Sequence, residues 1–286
     1  MRSPNWIELA GVVNMRDLGG LPTAAGDVVQ PHRMLRSDNL QDLPVESVRS
    51  LIEGYGLTDV VDLRTDVEVV REGEGPLRAV ATVRHHHFTL YPDSTSESGI
   101  PAAERRLPWE VDEHTDRSDR AAGADLTDRT DPAAVDQTRG PGHDEFWSKH
   151  YLSYLEQRPD SVVAALRAIA HSEGAAVVHC AAGKDRTGTV VGLALKTVGV
   201  LDGEIIADFA ASAERVPRIL ERLRSRPAYA ANLRDKTVAQ QSPTTDTMRL
   251  LLGTLERQYG GADAWLADHD WTTRDTDRLR RKLLAP

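Results

Sequence analysis

One cysteine, Cys180, stands in 286 residues, so no intramolecular disulfide framework exists and cysteine usage gives no sign of an oxidising compartment. Long apolar runs are missing as well. No stretch approaches the roughly 20 residues of a membrane span, and the opening MRSPNWIELAGVVNMRDLGG has no apolar segment of signal-peptide type. These absences set the expectation of a soluble, cytoplasmic protein that is not membrane-embedded, with export lacking a cleaved signal as the alternative. There are no internal repeats. A surplus of positive charge is absent too: the formal net charge is −9, which argues against nucleic acid as a partner. That charge is uneven, because residues 92–144 hold 13 Asp or Glu against 6 Arg and the rest of the chain is close to neutral. What remains is a chain long enough to bury a sizeable core without staples.

Within that chain, NMRDLGGLPTAAGDVVQPHRMLRS places turn residues between short apolar pieces and predicts a β-hairpin or two short strands. DLPVESVRSLIEGYG predicts a helix, with Asp42 as N-cap, Pro44 near the first turn and Gly54 as stop. LTDVVDLRT reads as a short buried strand. Thr65 and Glu68 have the spacing of a capping box and predict a helix start at TDVEVVREG. ATVRHHHFTL reads as another strand. Its RHHH invites a metal reading, but alternation puts His85 and His87 on one face and His86 on the other, so no metal site is expected.

Residues 92–144 are polar, acidic and turn-rich, and two readings stand: a disordered or loosely helical insertion, or a mobile lid carried by Ile100, Leu107, Trp109 and Val111. Beyond them come two helices broken near Pro159, the strand AAVVHC, a helix from about Thr187 to Gly199, and a largely helical tail. Strands alternating with helices imply the α/β class, with a central, mainly parallel sheet flanked by helices and a helical C-terminal part. One domain is expected over 1–286.

Cys180 sits where an apolar strand meets a helix, in VVHCAAGKDRTGTVVG. At such a junction in an α/β sheet, loop N–H groups and the helix N-terminus converge on a point that suits an anion. Gly183 and the small Ala181 and Ala182 let the backbone come close. Arg186, six residues after the sulfur, offers a planar fork matched to phosphate. Helix N-termini and neighbouring cations also favour the anionic form of a thiol. Nucleophile and anionic substrate would thus share one loop, which fits covalent transfer of phosphate to sulfur. The bland alternative is a small buried residue at a strand end. A core would not crowd Gly, Lys, Asp, Arg and Thr behind it, so the catalytic reading is preferred.

HCAAGKDRTG resembles the phosphate-binding signature of the cysteine-dependent protein tyrosine phosphatases: His-Cys, five residues, then Arg and Ser or Thr. The Gly-Lys-Asp-Arg-Thr-Gly form is similar to a bacterial branch with mycobacterial members. NMRDLGG, MLRSDNL, VVDLRTDVEV and the YGG of the helical tail resemble further segments of that branch, so the likeness covers most of the chain. The resemblance implies that Cys180 attacks phosphorus, that Arg186 binds the phosphate and its transition state, and that Thr187 hydrogen-bonds the leaving sulfur. His179 would orient the loop and help keep the thiolate. The loop residues Ala181, Ala182, Gly183 and Lys184 would hold the phosphate. A phosphocysteine intermediate would be hydrolysed by water with no metal and no cofactor.

Two carboxylates compete as general acid, since the Trp-Pro-Asp loop of many relatives is missing. Asp185 lies inside the loop and ranks above Asp62, which ends a neighbouring strand. Lys184 resembles a lysine of phosphoinositide phosphatases. The expected partners are therefore phosphoproteins, carrying phosphotyrosine and also phosphoserine or phosphothreonine, or phosphoinositides. Arg16, Asp17 and Arg64 would brace the loop or line the pocket. Competing readings are a lipid or inositol-phosphate phosphatase with the same chemistry, a module that binds phosphate without turnover, and sulfur transfer at a persulfide cysteine.

Overall fold

Every residue of AAVVH, residues 175–179, is buried. A run without polar alternation must be covered on both faces. It forms the middle of a six-stranded sheet in the computed structural model, which describes residues 3–92, 100–111 and 142–284. The strands are β1 (Asn5–Trp6), β2 (Arg16–Asp17), β3 (Met34–Ser37), β4 (Leu57–Asp62), β5 (Arg84–His87) and β6 (Ala175–His179), in the order β1-β2-β3-β6-β4-β5. The four from β3 to β5 run parallel, and β1, β2 and β3 are antiparallel neighbours. The expected N-terminal strand pair is β2 against β3, with Arg16 opposite Arg36.

The described helices are α1 (Val45–Arg49), α2 (Asp66–Glu72), α3 (Pro108–Val111), α4 (His143–Gln157), α5 (Pro159–His171), α6 (Asp185–Thr197) and α7 (Asp202–Ala211). They continue with α8 (Val216–Arg224), α9 (Ala230–Leu233), α10 (Val238–Gln241), α11 (Thr245–Tyr259), α12 (Ala262–Ala267) and α13 (Thr273–Leu284). The two-residue period of the strands sorts the core into two layers. Val61 and Val178 face a cluster built from α4, α5, α6, α11 and α13. Val60, Val177 and Leu35 face the opposite cluster, which Leu51 closes. The α/β architecture with a mainly parallel sheet and a helical C-terminal part is therefore as the sequence implies.

Two boundaries differ. Asp42 does not cap α1; Pro44 is the N-cap and carries no side-chain cap. Asp42 instead pairs with Arg222, 3.0 Å away, and with Arg226, which fixes α8 and the turn after it against this loop. The second difference is α6, which starts at Asp185 rather than near Thr187, because Gly183 completes the turn and frees the backbone to become helical at once. The capping box on α2 is present: Thr65 Oγ1 accepts from Glu68 N at 3.1 Å, and Glu68 Oε2 accepts from Thr65 N at 2.7 Å. The RHHH histidines take separate partners, His86 to Asp59 at 2.8 Å and His87 to the Arg64 carbonyl at 2.7 Å.

Much of the lid or insertion reading falls on residues 93–99 and 112–141, outside the described residues. Of its four apolar side chains, Leu107 is buried, Trp109 packs against Tyr229 and Ile100 is exposed. Glu110 of α3 pairs with Arg71 of α2 at 2.7 Å.

Candidate active site

The carboxyl end of β6 delivers Cys180, and five residues later α6 begins. Gly183 turns this loop with φ +68°, and a Cβ there would lie 2.3 Å from Ser37 O and 2.4 Å from Asp38 N. Only glycine fits. Gly183→Ala is expected to cost at least roughly 1–3 kcal/mol in backbone strain and to push the loop off β3. A lowered melting temperature together with weakened inhibition by phosphate checks this.

The loop's carbonyls are tied outward. Ala181 O accepts from Asn39 N at 3.0 Å, Ala182 O from Asn14 Nδ2 at 2.9 Å, and Gly183 O from Arg36 NH2 at 2.8 Å. With the carbonyls turned away, the N–H groups of Ala181, Ala182, Gly183 and Lys184 donate to no acceptor among the described residues. They form a nest for an anion beside the helix N-terminus.

The brace behind the loop is ionic. Asp208 of α7 accepts from Arg16 Nε at 2.7 Å and from Arg36 NH1 at 2.5 Å. Burial pushes its carboxyl up, but the two guanidinium groups outweigh this and hold it below the usual carboxylate range. Arg16 also donates to Asn14 Oδ1 at 2.9 Å, and so reaches the loop through Asn14. Arg16, expected to brace the loop or line the pocket, is placed as a brace: it is buried and is not among the residues that line the cavity above the loop. Asp17 ties a turn through Gly19 N and His32 N and touches neither loop nor cavity.

Arg186 projects from the first turn of α6 onto Glu68 of α2. NH1 meets Oε2 at 2.6 Å and NH2 meets Oε1 at 2.9 Å, while NH1 also donates to Leu63 O at 3.2 Å. Three of five N–H donors are therefore taken. The remaining two, Nε–H and the second hydrogen on NH2, lie together on one edge of the guanidinium, the two-pronged face that matches phosphate.

Above the loop opens a cavity of about 600 Å³. Its floor is Cys180, Ala181, Ala182, Lys184, Asp185 and Arg186, and its walls are aromatic, with Tyr91, Trp109, Trp147 and Tyr229 prominent. Lys184 Nζ lies 2.8 Å from both oxygens of Asp185 and 4.9 Å from the centre of the Trp147 ring. Tyr151 donates its hydroxyl to Asp185 Oδ1. Burial pushes the Asp185 carboxyl up, but Lys184 and the Tyr151 hydroxyl outweigh it, so the group lies below its ordinary range.

Asp62 and Arg64 occupy each other instead. Asp62 Oδ2 is 2.5 Å from Arg64 NH2, and Oδ1 accepts from the Arg64 backbone N–H at 3.0 Å. Burial pushes Asp62 up, but His179 and Arg64 hold it far below the carboxylate range, and it does not line the cavity. Arg64 is closed off by Asp62 and the Gly73 carbonyl, so neither residue is placed to meet a substrate. Their pairing beneath the loop agrees with a bracing role for Arg64 and leaves Asp62 out of the cavity, away from the place a general acid would take. His179 is buried, with Nδ1 3.3 Å from Cys180 O and Nε2 3.6 Å from Asp62. Burial pushes its pKa down to about 4, so it is neutral at pH 7. The Thr187 hydroxyl is buried and has no hydrogen-bond partner among the described residues.

Glu68, Asn14, Arg36, Asp208 and Tyr151 are absent from the sequence reading of the site. Glu68 was visible as a capping residue, but nothing in TDVEVVREG says that its other face meets Arg186. Asp208 carried a usable signal, being one acid among the apolar residues of IIADFAAS.

A strand, a turn of free N–H groups with cysteine at its base and an arginine beside it form a site with the donors to suit an anion, in an α/β fold. A model of the tyrosine phosphatase family matches residues 7–285, and the chain belongs to that family, which makes it a phosphatase. It is similar to the triple specificity protein phosphatase PtpB of Mycobacterium tuberculosis (strain ATCC 25618 / H37Rv). Identity is 29% over 293 residues, covering 97% of this chain and 99% of the relative. It also resembles a tyrosine-protein phosphatase of Nostoc commune, 30% identical over 122 residues, which is 41% of this chain and 42% of that one. No helix among the described residues is long and apolar enough to cross a membrane.

Proposed function

We propose that the chain hydrolyses phosphotyrosine in proteins, and phosphoserine and phosphothreonine as well, through a phosphocysteine intermediate on Cys180. The observation that carries this is the shared floor of the cavity, where Cys180, unpaired loop N–H groups and the free edge of Arg186 meet. The Cys180 thiolate attacks phosphorus, the bond to the leaving oxygen breaks, and Asp185 supplies the proton that oxygen needs. Water then attacks phosphorus, gives a proton to Asp185, and the P–S bond breaks to return the thiolate. The unpaired Thr187 hydroxyl is available to receive the departing sulfur. The loop N–H groups and Arg186 hold the equatorial oxygens throughout. Every step is taken by side chains and backbone of this chain, without metal or cofactor.

Asp185 is ionised in the free protein, so its role as acid depends on substrate arrival. A phosphate dianion raises its proton affinity directly and also draws Lys184 away from it. Asp62 has no such release, being locked to Arg64. Asp185→Asn is expected to lose roughly 10²–10⁴ in kcat on alkyl or unactivated phenyl phosphates and much less on activated ones. The leaving-group plot should steepen and the alkaline limb of the kcat profile should vanish. An unchanged slope would move the acid elsewhere.

The deep aromatic walls support an aryl phosphate as the best substrate. Lys184, buried in the floor, supports the second reading, a substrate with more than one phosphate such as a phosphoinositide. The name of the mycobacterial relative, a triple specificity protein phosphatase, supports a range wider than phosphotyrosine. The test is phosphate release from a phosphotyrosine peptide and a phosphoinositide panel, with chelator present, for wild type and Lys184→Ala. Peptide turnover without lipid turnover leaves the protein reading alone. Lipid turnover that falls selectively in Lys184→Ala establishes the second.

A further inference from the structure

Glu68 is fully buried and accepts four hydrogen bonds. Oε2 takes Thr65 N at 2.7 Å and Arg186 NH1 at 2.6 Å; Oε1 takes Arg186 NH2 at 2.9 Å and the Tyr229 hydroxyl at 3.0 Å. That uses the roughly four acceptor positions a carboxylate has. One donor comes from its own helix cap, two from the residue that faces the anion site, and one from across the cavity.

Tyr229 is itself anchored independently of Glu68. It lies just before α9, where Ala228 N donates to Glu72 Oε1 at 2.8 Å and Ala228 O accepts from Trp109 Nε1 at 3.3 Å. Its ring packs on Trp109 with centroids 5.9 Å apart and lines the cavity wall. The position of its hydroxyl oxygen is therefore set by the backbone and ring packing around it. Burial pushes the phenol well above its ordinary range, so it remains a donor at any working pH.

A fork of two parallel hydrogen bonds makes carboxylate and guanidinium share a plane. Whatever fixes the plane of Glu68 therefore fixes the plane of Arg186, and with it the direction of the Nε and NH2 edge. Thr65 N pins one oxygen of the carboxylate, and the Tyr229 hydroxyl pins the other. We propose that Tyr229 is a positioning residue for phosphate capture: through Glu68, it aims the free edge of Arg186 at the anion site. This rests on the reading above that Arg186 binds the phosphate. The residue's ring and its hydroxyl then have separate duties, the ring walling the cavity and the hydroxyl orienting the arginine two contacts away.

Tyr229→Phe keeps the ring and removes only the hydroxyl. Kinetics on p-nitrophenyl phosphate and calorimetric titration with inorganic phosphate test the proposal. A hydrogen bond to a charged group governs the orientation, so kcat and phosphate affinity are each expected to fall about tenfold. The leaving-group slope should stay that of wild type, because Asp185 is untouched. A merely structural role would reduce the active fraction and leave phosphate affinity per active molecule unchanged, which would overturn the proposal. In a Glu68→Gln background the hydroxyl has lost its charged acceptor, so Tyr229→Phe should add little further loss; an equal loss in both backgrounds would also overturn it. Should Glu68→Gln fail to fold, the phosphate affinity of Tyr229→Phe alone decides. Arg186→Ala, titrated alongside, separates the two layers. If Arg186→Ala binds phosphate as wild type does, the underlying reading fails. If it loses phosphate while Tyr229→Phe keeps it, only the positioning role fails.

Discussion

Cys180→Ser is expected to abolish turnover of a phosphotyrosine peptide, by roughly a million-fold, the scale on which removal of a nucleophile acts. The serine oxygen would stand near the place of the sulfur, at the base of the same loop. What is lost is nucleophilicity: a hydroxyl stays protonated unless a base is positioned to take its proton, and among the described residues no base hydrogen-bonds the Cys180 side chain. His179 is turned toward the Cys180 carbonyl and Asp62, not toward the side chain's reacting face. The anion site itself is made of backbone N–H groups and Arg186, none of which the substitution alters. Phosphate binding should therefore survive within about threefold, well under one hydrogen bond's worth. Steady-state release and calorimetric phosphate titration on the same sample check both halves. Turnover within tenfold of wild type would end the phosphocysteine mechanism, and lost phosphate binding would show that the sulfur holds the loop together.

Arg186→Ala carries the second large effect, and it has two parts. Removing the fork that faces the phosphate should lower kcat by at least roughly 10²–10³, as loss of one preorganised oxyanion donor does elsewhere. The same change strands Glu68. Burial already pushes that carboxyl up, and Arg186 is what holds it below the usual range. Breaking such a buried pair from one side is expected to cost about 3–5 kcal/mol of stability. The linkage sign follows: a depressed folded pKa gives stability that is complete above the unfolded carboxylate pKa and is lost as acid is added. In Arg186→Ala that dependence should reverse, with the orphaned carboxyl gaining by protonation, so that the stability deficit shrinks toward low pH. Denaturant unfolding at two pH values measures this. The double variant Arg186→Met with Glu68→Leu should recover part of the stability, less what the stranded Thr65 N–H and Tyr229 hydroxyl cost, and none of the activity, which separates the structural pair from its catalytic use. No recovery of stability would mean that the bonds from Thr65 and Tyr229 to Glu68 weigh at least as much as the stranded charge.

The alternation of strands and helices, the capping box at Thr65 and the break at Pro159 were legible because each rests on local chemistry. The loop was legible for a different reason: Cys180, Gly183 and Arg186 are close in sequence, so their residue types and spacing show in one short stretch. Its supports were not. Asn14, Arg36, Glu68 and Asp208 reach the site from a loop, a strand and two helices far apart in the chain, and no periodicity or spacing relates them to residue 180. Asp62 ends a strand on the right side of the sheet, but whether its carboxylate turns toward the cavity or toward Arg64 is a matter of side-chain rotation, which residue order does not settle. Asp42 misled: a good capping residue was drawn into a stronger pairing with Arg222 and Arg226.

The outward ties on the loop carbonyls reach far along the chain, the one from Asn14 to Ala182 spanning 168 residues. Closing separations of that size is entropically costly and pays back only when the intervening structure is in place. The short peptide around Cys180 therefore has no anion nest of its own. A growing or partly unfolded chain exposes an ordinary thiol, and on the proposed mechanism its reactivity toward phosphate requires those long-range contacts. Catalytic competence in this molecule is a property of the completed fold, and the chain is chemically quiet until its first residues and its middle ones have found each other.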